Sequence, residues 1–195
     1  IFGDGGEAIV AESTPVPTSG LRQQVDICRQ WEAAFAEASC GIDRTVLLRP
    51  AVAIGGDDDP ATRQLTRLAR AGLGGTVGSG RQWVSWIGAD DFFGVLHRAV
   101  TDPTITGLYH VASPNPVTNG ELMAAYRAAV GRRFGFGAPA LVTTIGAWLL
   151  GSDPALALTG RRCVPSRLLC EDSDFGVTTI DHAVSLAVGA SASRP

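Results

Sequence analysis

The sequence contains no lysine, since all 16 basic residues are arginines. Lysine is the residue that forms Schiff bases with carbonyl substrates and that holds phosphate in Walker-type loops. Its absence also excludes any Tyr-x-x-x-Lys pair from this chain. These kinds of catalytic and phosphate-binding site are therefore ruled out.

Long apolar runs and clusters of basic residues are also missing. No apolar run reaches the length of about 20 residues that a membrane-spanning helix needs. A net charge of -3 and a pI near 5.6 argue against nucleic-acid binding. We expect a cytoplasmic protein that has neither nucleic acid nor a membrane as a partner.

The chain has few potential metal ligands. Its four cysteines and three histidines form no Cys-x-x-Cys pair and lack the spacing of a zinc site. We therefore expect no bound metal and free, buried thiols. The residues concerned are Cys28, Cys40, Cys163 and Cys170, with His97, His110 and His182.

Residues 72–91, GLGGTVGSGRQWVSWIGADD, combine glycines, two of the four tryptophans, an arginine and two adjacent carboxylates. In one interpretation Arg81, Gln82, Trp83 and Trp86 line a pocket for a small-molecule substrate. In the other, the stretch is a glycine-rich hairpin whose tryptophans are core. A strand sends residues i and i+3 to opposite faces, so the first interpretation places Trp83 at a cleft near Arg81 and the loop after Pro50, and Trp86 in the core.

Apolar periodicity predicts alternating helices and strands, as in an α/β fold. Asp59 before Pro60 is a typical helix start, and Thr118 with Glu121 forms a capping box. The apolar run at 45–49 predicts a strand that is buried on both faces of a parallel sheet, followed by a loop over 50–55. The predicted helices are 21–38, 60–71, 89–100 and 118–130, and the second predicted strand is 107–112.

Residues 135–195 differ in pattern from residues 1–134. They contain three predicted helical segments, at 141–150, 153–159 and 180–188, and no visible strand period. We therefore expect a small helical C-terminal domain, in which Arg161 and Arg162 either pair with the acidic segment 171–172 or hold the domain on the sheet. Because the chain begins as if inside a strand, we also expect it to be the later part of a longer protein.

Several motifs occur together in this chain, and they resemble the sugar-nucleotide-epimerase-like family of atypical extended short-chain dehydrogenases/reductases. The resemblance covers nearly the whole chain and is carried by Phe2-Gly3-Asp4, Cys28-x-x-Trp31-Glu32-Ala33, Leu48-Arg49-Pro50, Gly72-Leu-Gly-Gly75, Gly78-Ser-Gly80, Gln82-Trp83-x-Ser85-Trp86-Ile87, Asp90-Asp91, the segment 113–119 and the segment 158–165.

The resemblance implies the C-terminal part of a Rossmann-like fold with a small helical appendage. It implies that Arg49, Pro50, Ala51 and Val52 pass the nicotinamide end of NAD(P), and that residues 81–87 line the substrate cleft. The glycine-rich turn that holds the pyrophosphate belongs to the earlier half of such proteins. Residues 3–8 match its spacing formally, but extended, proline-broken chain follows them. We therefore expect that this chain alone does not bind NAD(P) tightly.

The chain departs from the extended pattern at the catalytic pair. Where Tyr-x-x-x-Lys would lie, it has Gln24, Val25, Cys28 and Arg29. The catalytic residues are therefore unknown. For Cys28, Glu32 and His97 we favour structural roles. For Arg49 and Arg81 we favour contact with a phosphate or a carboxylate.

Two function classes remain open. In the first, the chain is part of an NAD(P)-dependent epimerase or oxidoreductase that acts on a small substrate resembling a nucleotide sugar. In the second, it is a non-catalytic binding or scaffold protein that kept the fold without the Tyr-Lys pair. A sheet that lacks its first strands exposes an unpaired edge, so we expect the partner to be a second copy or an N-terminal half.

Overall fold

The structure is a computed structural model, and it describes residues 2–17, 23–55, 59–139 and 158–192. The strands are β1 Ile9–Val10, β2 Val46–Pro50, β3 Val52–Ile54, β4 Trp83–Val84, β5 Trp86–Gly88, β6 Gly107–Val111, β7 Val117–Thr118 and β8 Arg162–Cys163. The helices are α1 Gln23–Ala38, α2 Pro60–Arg70, α3 Ala89–Thr101, α4 Asn119–Ala129, α5 Ser166–Cys170 and α6 Ile180–Ala192. In these described ranges, no helix has both the length and the apolar character needed to span a bilayer.

The strands form short ladders, most of them parallel. β2 lies parallel to β6, with Arg49 opposite His110, and β3 lies parallel to β5. Between these ladders, the Ala51 N–H donates to the Val111 carbonyl at 2.9 Å and the Val52 N–H donates to the Ser85 carbonyl at 3.2 Å. The segment 46–54 therefore contacts β6 with its first part and β5 with its second. β1 is parallel to β8, and β4 is antiparallel to β7.

The main hydrophobic core lies between β3, β5 and three helices, α2, α4 and α6. Trp86 is fully buried at its centre. The other buried members of this core are Ile54, Ala69, Leu122, Ala125, Tyr126, Ile180, Ala183, Val184, Ala187 and Val188. Helix α6 thus shares one core with elements that precede residue 134. The domain division at residue 134 stays a prediction.

Both predicted helix starts are confirmed. The Asp59 carboxylate accepts hydrogen bonds from the N–H groups of Ala61 at 3.1 Å and Thr62 at 2.9 Å, and Pro60 is the first helical residue. At α4, the Glu121 N–H donates to the Thr118 hydroxyl at 3.3 Å, and the Glu121 carboxylate accepts from the Thr118 N–H at 2.7 Å. These bonds satisfy backbone donors that have no partner inside the helix.

Other predictions are wrong in detail. The supposed loop 50–55 contains strand β3, and the segment after residue 134 contains strand β8 and helix α5. Both missed strands are two or three residues long, which is too short to show a period. β2 is half-buried rather than fully buried, and Cys40 and Cys170 are exposed. The predicted helix at 141–150 and most of that at 153–159 lie outside the described residues.

The glycines of 72–80 have a structural explanation. The Gly75 N–H donates to the Phe136 carbonyl at 3.1 Å, and the Phe136 N–H donates to the Gly72 carbonyl at 2.8 Å. A Cβ atom on Gly75 would lie 2.3 Å from the backbone nitrogen of Gly137, a distance that no side chain tolerates. The glycines therefore allow two backbone segments to approach closely.

The end of this stretch positions helix α4. The carbonyls of Gly80 and Gln82 accept hydrogen bonds from the N–H groups of Gly120 at 2.8 Å and Asn119 at 2.9 Å. The Asn119 side chain in turn accepts from the Val77 N–H at 2.9 Å. The first turn of α4 is thereby held against the segment that leads into β4.

Candidate functional site

A cavity of about 330 Å³ lies at the carboxyl end of β2. Carboxyl ends of parallel strands are the usual ligand-binding edge of open α/β sheets. Of the residues predicted to bind a ligand, Arg49, Pro50, Ala51, Val52 and Trp83 line this cavity. The remaining lining residues are Phe2, Val84, Ser85, His110, Ala112, Thr159, Arg161 and Cys163.

Three predicted substrate-binding residues lie outside the lining. Trp86 is buried in the main core, where its indole N–H donates to the Asn115 carbonyl at 2.8 Å. The Gln82 amide donates to the Val77 carbonyl at 2.9 Å, and Arg81 is exposed. The expected difference between the two rings is confirmed, since Trp83 is half-buried at the cavity and Trp86 is 0% exposed. The expected position of Arg81 beside the cavity is wrong.

Arg49 is held by Glu32 of helix α1. Its Nε and Nη2 atoms both donate to the Glu32 carboxylate at 2.7 Å, and the side chains are 15% and 24% exposed. This fork-to-fork geometry is the strongest form of the Arg–carboxylate pair. Glu32 is therefore the counter-ion of Arg49. The remaining nitrogen, Nη1, is buried and has no hydrogen-bond partner among the described residues.

His110 lies opposite Arg49 in the β2–β6 ladder and is 2% exposed. Its Nδ1 atom is 3.3 Å from the Val164 carbonyl. A carbonyl can only accept, so Nδ1 carries the proton. Burial lowers the pKa of His110, against the opposing effect of the nearby Glu12 carboxylate. The ring is thus neutral near pH 7, and its Nε2 is a buried acceptor without a partner in the described part of the chain.

Phe2 covers this pair of side chains. The Arg49 Cζ atom lies 5.1 Å from the centre of the Phe2 ring. The His110 ring meets it edge to face at 5.6 Å. Phe2 therefore lines the cavity in contact with both side chains.

Residues 160–163 form one wall of the cavity. The Arg161 N–H donates to the Trp83 carbonyl at 3.0 Å. The Ser85 hydroxyl donates to the Arg161 carbonyl and accepts from the Cys163 N–H, both at 2.8 Å. A Cβ atom on Gly160 would lie 2.4 Å from the Trp83 nitrogen. These contacts join the backbone of the segment to Trp83 and Ser85.

The N-terminal segment forms the adjoining wall. The Gly160 N–H donates to the Asp4 carboxylate at 3.2 Å, and the Gly5 N–H donates to the Gly160 carbonyl at 2.8 Å. Strand β1 follows this turn, where a dinucleotide fingerprint requires a helix. The formal fingerprint match at 3–8 is therefore a structural turn.

Glu12 accepts three backbone hydrogen bonds near the cavity. Its carboxylate accepts from the N–H groups of His110 at 3.0 Å, Ser166 at 3.1 Å and Arg167 at 3.4 Å. β6 and the first turn of α5 are thus joined to the N-terminal segment. This carboxylate occupies the N-terminus of α5.

Trp83 is oriented by two charged residues. Its indole N–H donates to the Glu7 carboxylate at 2.7 Å, and the Arg162 guanidinium lies 4.3 Å from the ring centre. This distance is within the range of a cation–π contact. The ring therefore stands at the cavity edge in a defined orientation.

The two tyrosines are distant from this chemistry. The Tyr109 hydroxyl donates to Glu171 at 2.8 Å and burial raises its pKa, while the Tyr126 hydroxyl is 3.3 Å from that of Thr62. Neither lines the cavity.

Two further observations limit the chemistry of the cavity. Burial raises the pKa of the Cys163 thiol. The described lining therefore contains one group, His110, whose ordinary pKa lies near neutrality. The described residues contain no group of three or more acidic, histidine or cysteine side chains arranged to hold a metal.

Sequence reasoning found part of this site. It identified the strand end at 49–52 and the ring of Trp83, because each belongs to a local pattern. It placed Ser85 at the cleft within residues 81–87, but it missed His110 and the wall at 160–163, since these reach the cavity only through pairing between distant segments. The segment 158–165 was recognised as a motif, but its place beside Trp83 has no local signal.

No protein-family model matches the chain. The epimerase family protein Mb2239 of Mycobacterium bovis is 33% identical over 189 residues, which are 95% of this chain and 60% of that relative. The chain thus spans less than two thirds of the relative's length.

Solved structures show the same similarity. Human epimerase family protein SDR39U1 (isoform 2), crystallised with NADPH, superposes with a TM-score of 0.83 at 26% identity, over 95% of this chain and 61% of that one. A nucleoside-diphosphate sugar epimerase from Corynebacterium glutamicum gives a TM-score of 0.73 at 28% identity, over 96% and 35% of the two chains. The fold described above is therefore Rossmann-like.

Proposed function

The chain belongs to the epimerase-like family of atypical extended short-chain dehydrogenases/reductases, and from that premise we propose that it is part of an NAD(P)-dependent epimerase or oxidoreductase. The cavity between 49–52, Trp83 and 160–163 is the place where the nicotinamide end of the cofactor and a small substrate meet. The single observation that carries this proposal is the position of the cavity at the carboxyl end of β2.

The residues present suit one end of the cofactor. Pro50, Ala51 and Val52 offer an apolar surface on which a nicotinamide ring can lie, and such a ring supplies hydride-transfer chemistry when it is bound. The Val52 side chain is 53% exposed, so this surface is accessible. These residues would orient the ring against the substrate.

The residues present do not suit the pyrophosphate. A pyrophosphate is held by free N–H groups at a glycine-rich turn that opens a helix. In the turn at 3–8, the Gly5 N–H is bonded to Gly160 and a strand follows. The described part of this chain therefore contributes the catalytic end of the cofactor site without its phosphate cradle.

His110 is the residue best suited to move a proton. A neutral imidazole with a free Nε2 can accept a proton and return it near pH 7. Ser85 is less suited, because its hydroxyl is engaged in two hydrogen bonds of 2.8 Å. The His110 ring borders the cavity beside Phe2.

Binding can be tested by amide NMR with three probes. NADPH and nicotinamide mononucleotide, at millimolar concentration, should shift the amide signals of Ala51, Val52 and Ser85. AMP, which lacks the nicotinamide, should leave these signals unchanged. A titration in which nicotinamide mononucleotide moves none of them would refute the proposal.

Calorimetry with NADPH should give a dissociation constant weaker than about micromolar, because the phosphate cradle is missing.

A non-catalytic binding role is the second candidate. It is favoured by the positions of Tyr109 and Tyr126, whose hydroxyls face Glu171 and Thr62 instead of the cavity. The two functions differ in turnover. If nicotinamide mononucleotide binds but nucleotide sugars and small carbonyl compounds are neither epimerised nor reduced with NADPH, the binding role is supported.

A further inference from the structure

We propose that the cavity recognises a small hydroxycarboxylate, whose negative charge pairs with Arg161. This inference deepens the proposed function, since it names a substrate class for the same cavity. It stands on two observations: an arginine without an acidic partner, and two buried polar atoms without hydrogen bonds.

Arg161 differs in its partners from Arg49, the other arginine among the described residues that line the cavity. Arg49 pairs with Glu32. The Arg161 guanidinium instead donates through Nε to the Gly3 carbonyl, and its Nη2 is 3.4 Å from the Thr159 hydroxyl. No carboxylate lies within ion-pair distance of it in the described ranges. A half-buried cation that borders a cavity without a counter-ion favours an anionic ligand.

The charge of the cavity favours a monoanion. Glu32 neutralises Arg49, and His110 is neutral because burial lowers its pKa. At the edge of the cavity, Glu7 and Arg162 contact the same Trp83 ring with opposite charges. Among the described residues that line the cavity, Arg161 is the charged side chain without an ion pair. The Asp4 carboxylate, which accepts from the Gly160 N–H at 3.2 Å, lies outside this lining. A ligand carboxylate balances Arg161, whereas a phosphate dianion would leave excess negative charge in a partly enclosed site.

The second observation concerns the floor of the cavity. Arg49 Nη1 can only donate, and His110 Nε2 can only accept while Nδ1 carries the proton. Both atoms are buried without partners in the described part of the chain. Unfilled hydrogen-bonding capacity of this kind is costly in a folded protein. A hydroxyl group both accepts and donates, so it has the hydrogen-bonding capacity that either atom lacks.

The test compares four probes against the 195-residue chain by calorimetry at constant ionic strength: glycolate, acetate, glycolamide and inorganic phosphate. We expect glycolate to bind more tightly than acetate, and both to bind at least about tenfold more tightly than glycolamide, which lacks the charge. If glycolamide binds as well as glycolate, the carboxylate assignment is wrong. If acetate equals glycolate, the hydroxyl assignment is wrong. If phosphate binds most tightly, the assignment of a monoanion is wrong.

Two variants locate the binding site. Arg161→Gln should weaken glycolate binding at least about tenfold, whereas Arg133→Gln removes the same charge at an exposed position outside the cavity lining and should change it less than about twofold. Equal losses in the two variants would show general charge attraction and overturn the proposal. Near-UV circular dichroism checks that both are folded. If Arg161→Gln is not folded, the comparison of the four probes on the unaltered chain decides whether the cavity binds a hydroxycarboxylate.

The same samples separate this proposal from the proposed function. If nicotinamide mononucleotide shifts the cavity amides and glycolate does not bind, the hydroxycarboxylate is excluded and the cofactor site remains. If glycolate binds and nicotinamide mononucleotide does not, the cofactor proposal fails and the carboxylate site remains.

Discussion

Trp86 and Trp83 are three positions apart and belong to two unlike regions. Trp86 is fully buried among apolar side chains of α2, α4 and α6. Trp83 is half-buried, and its neighbours are Glu7, Arg162 and an open cavity. The first region is closely packed with apolar side chains. The second consists of hydrogen bonds and ion pairs around a cavity.

The comparison shows how two consecutive strands can serve stability and ligand binding at once. β4 and β5 are separated only by Ser85. Side chains alternate between the two faces of extended chain, so Trp83 and Trp86 point to opposite sides. Apolar burial on one side supplies most of the folding free energy. Polar contacts on the other side hold groups in place and leave room for a ligand. Substitutions should therefore affect the two regions in different ways.

The largest effect is expected from Trp86→Ala. Loss of a large buried ring and the cavity that remains should lower the free energy of unfolding by about 3–5 kcal/mol. Trp83→Ala should cost less than about 1.5 kcal/mol, because its ring is half-exposed, but it should weaken ligand binding at the cavity. Urea unfolding of both variants measures this difference. Similar losses for the two would remove the distinction between the regions.

The pair between Glu32 and Arg49 is the next test. Glu32→Gln leaves the buried Arg49 guanidinium without its counter-ion, and we expect a loss of about 1.5–3 kcal/mol in the free energy of unfolding. Glu37→Gln, at an exposed position of the same helix, is the matched control and should be neutral within about 0.5 kcal/mol. If both variants are equally stable, the polar region contributes nothing through this pair.

Gly160 tests the close packing of the cavity wall. Gly160→Ala places a Cβ atom 2.4 Å from the Trp83 nitrogen, and the required shift should cost about 1–3 kcal/mol. Gly94→Ala is the control, because Gly94 lies in α3 with no atom within 4 Å of an added Cβ. It should stabilise the protein by about 0.5–1 kcal/mol through helix propensity. Thermal unfolding should therefore move in opposite directions for the two variants.

The smallest expected effect is that of pH on His110. Its pKa in the folded protein lies below the ordinary value of 6.5, chiefly because of burial. Below pH 6.5 the unfolded chain binds a proton that the folded chain rejects, so stability is lost as the pH falls. We expect His110→Gln to make the decline in unfolding free energy below pH 6.5 shallower. Urea midpoints at several pH values measure it, and an unchanged slope would contradict it.

The local parts of the fold could be predicted from sequence. The caps at Asp59 and Thr118 depend on residues three positions apart, and the apolar run at 46–49 is continuous, so each carries its own signal. Strand β8 carries none. It has two residues and is recognised only by its pairing with β1.

The candidate site was likewise predictable only where its residues carry a local signal. Residues 49–52 and Trp83 follow from a strand end and from alternation. The partner of Ser85 lies 76 positions away, and that of Glu12 at the first turn of α5 lies 154 positions away. A pairing at such distances is decided by the assembled core, and a single sequence contains no record of it. The Glu32–Arg49 ion pair was missed for the same reason.

The closure of the cavity by two segments that are distant in sequence has a consequence for local opening of the structure. The Arg161 side chain meets the Gly3 carbonyl 158 positions away, and Gly160 meets Asp4 156 positions away. None of these residues belongs to the buried apolar clusters of the described chain, and contacts outside such clusters open at a lower free energy than a packed core. The cavity can therefore open in a local fluctuation while the core around Trp86 stays intact. In hydrogen exchange, the Gly160 and Arg161 amides should lose protection faster than those of α4, so that ligand entry is coupled to the release of the N-terminal segment rather than to global unfolding.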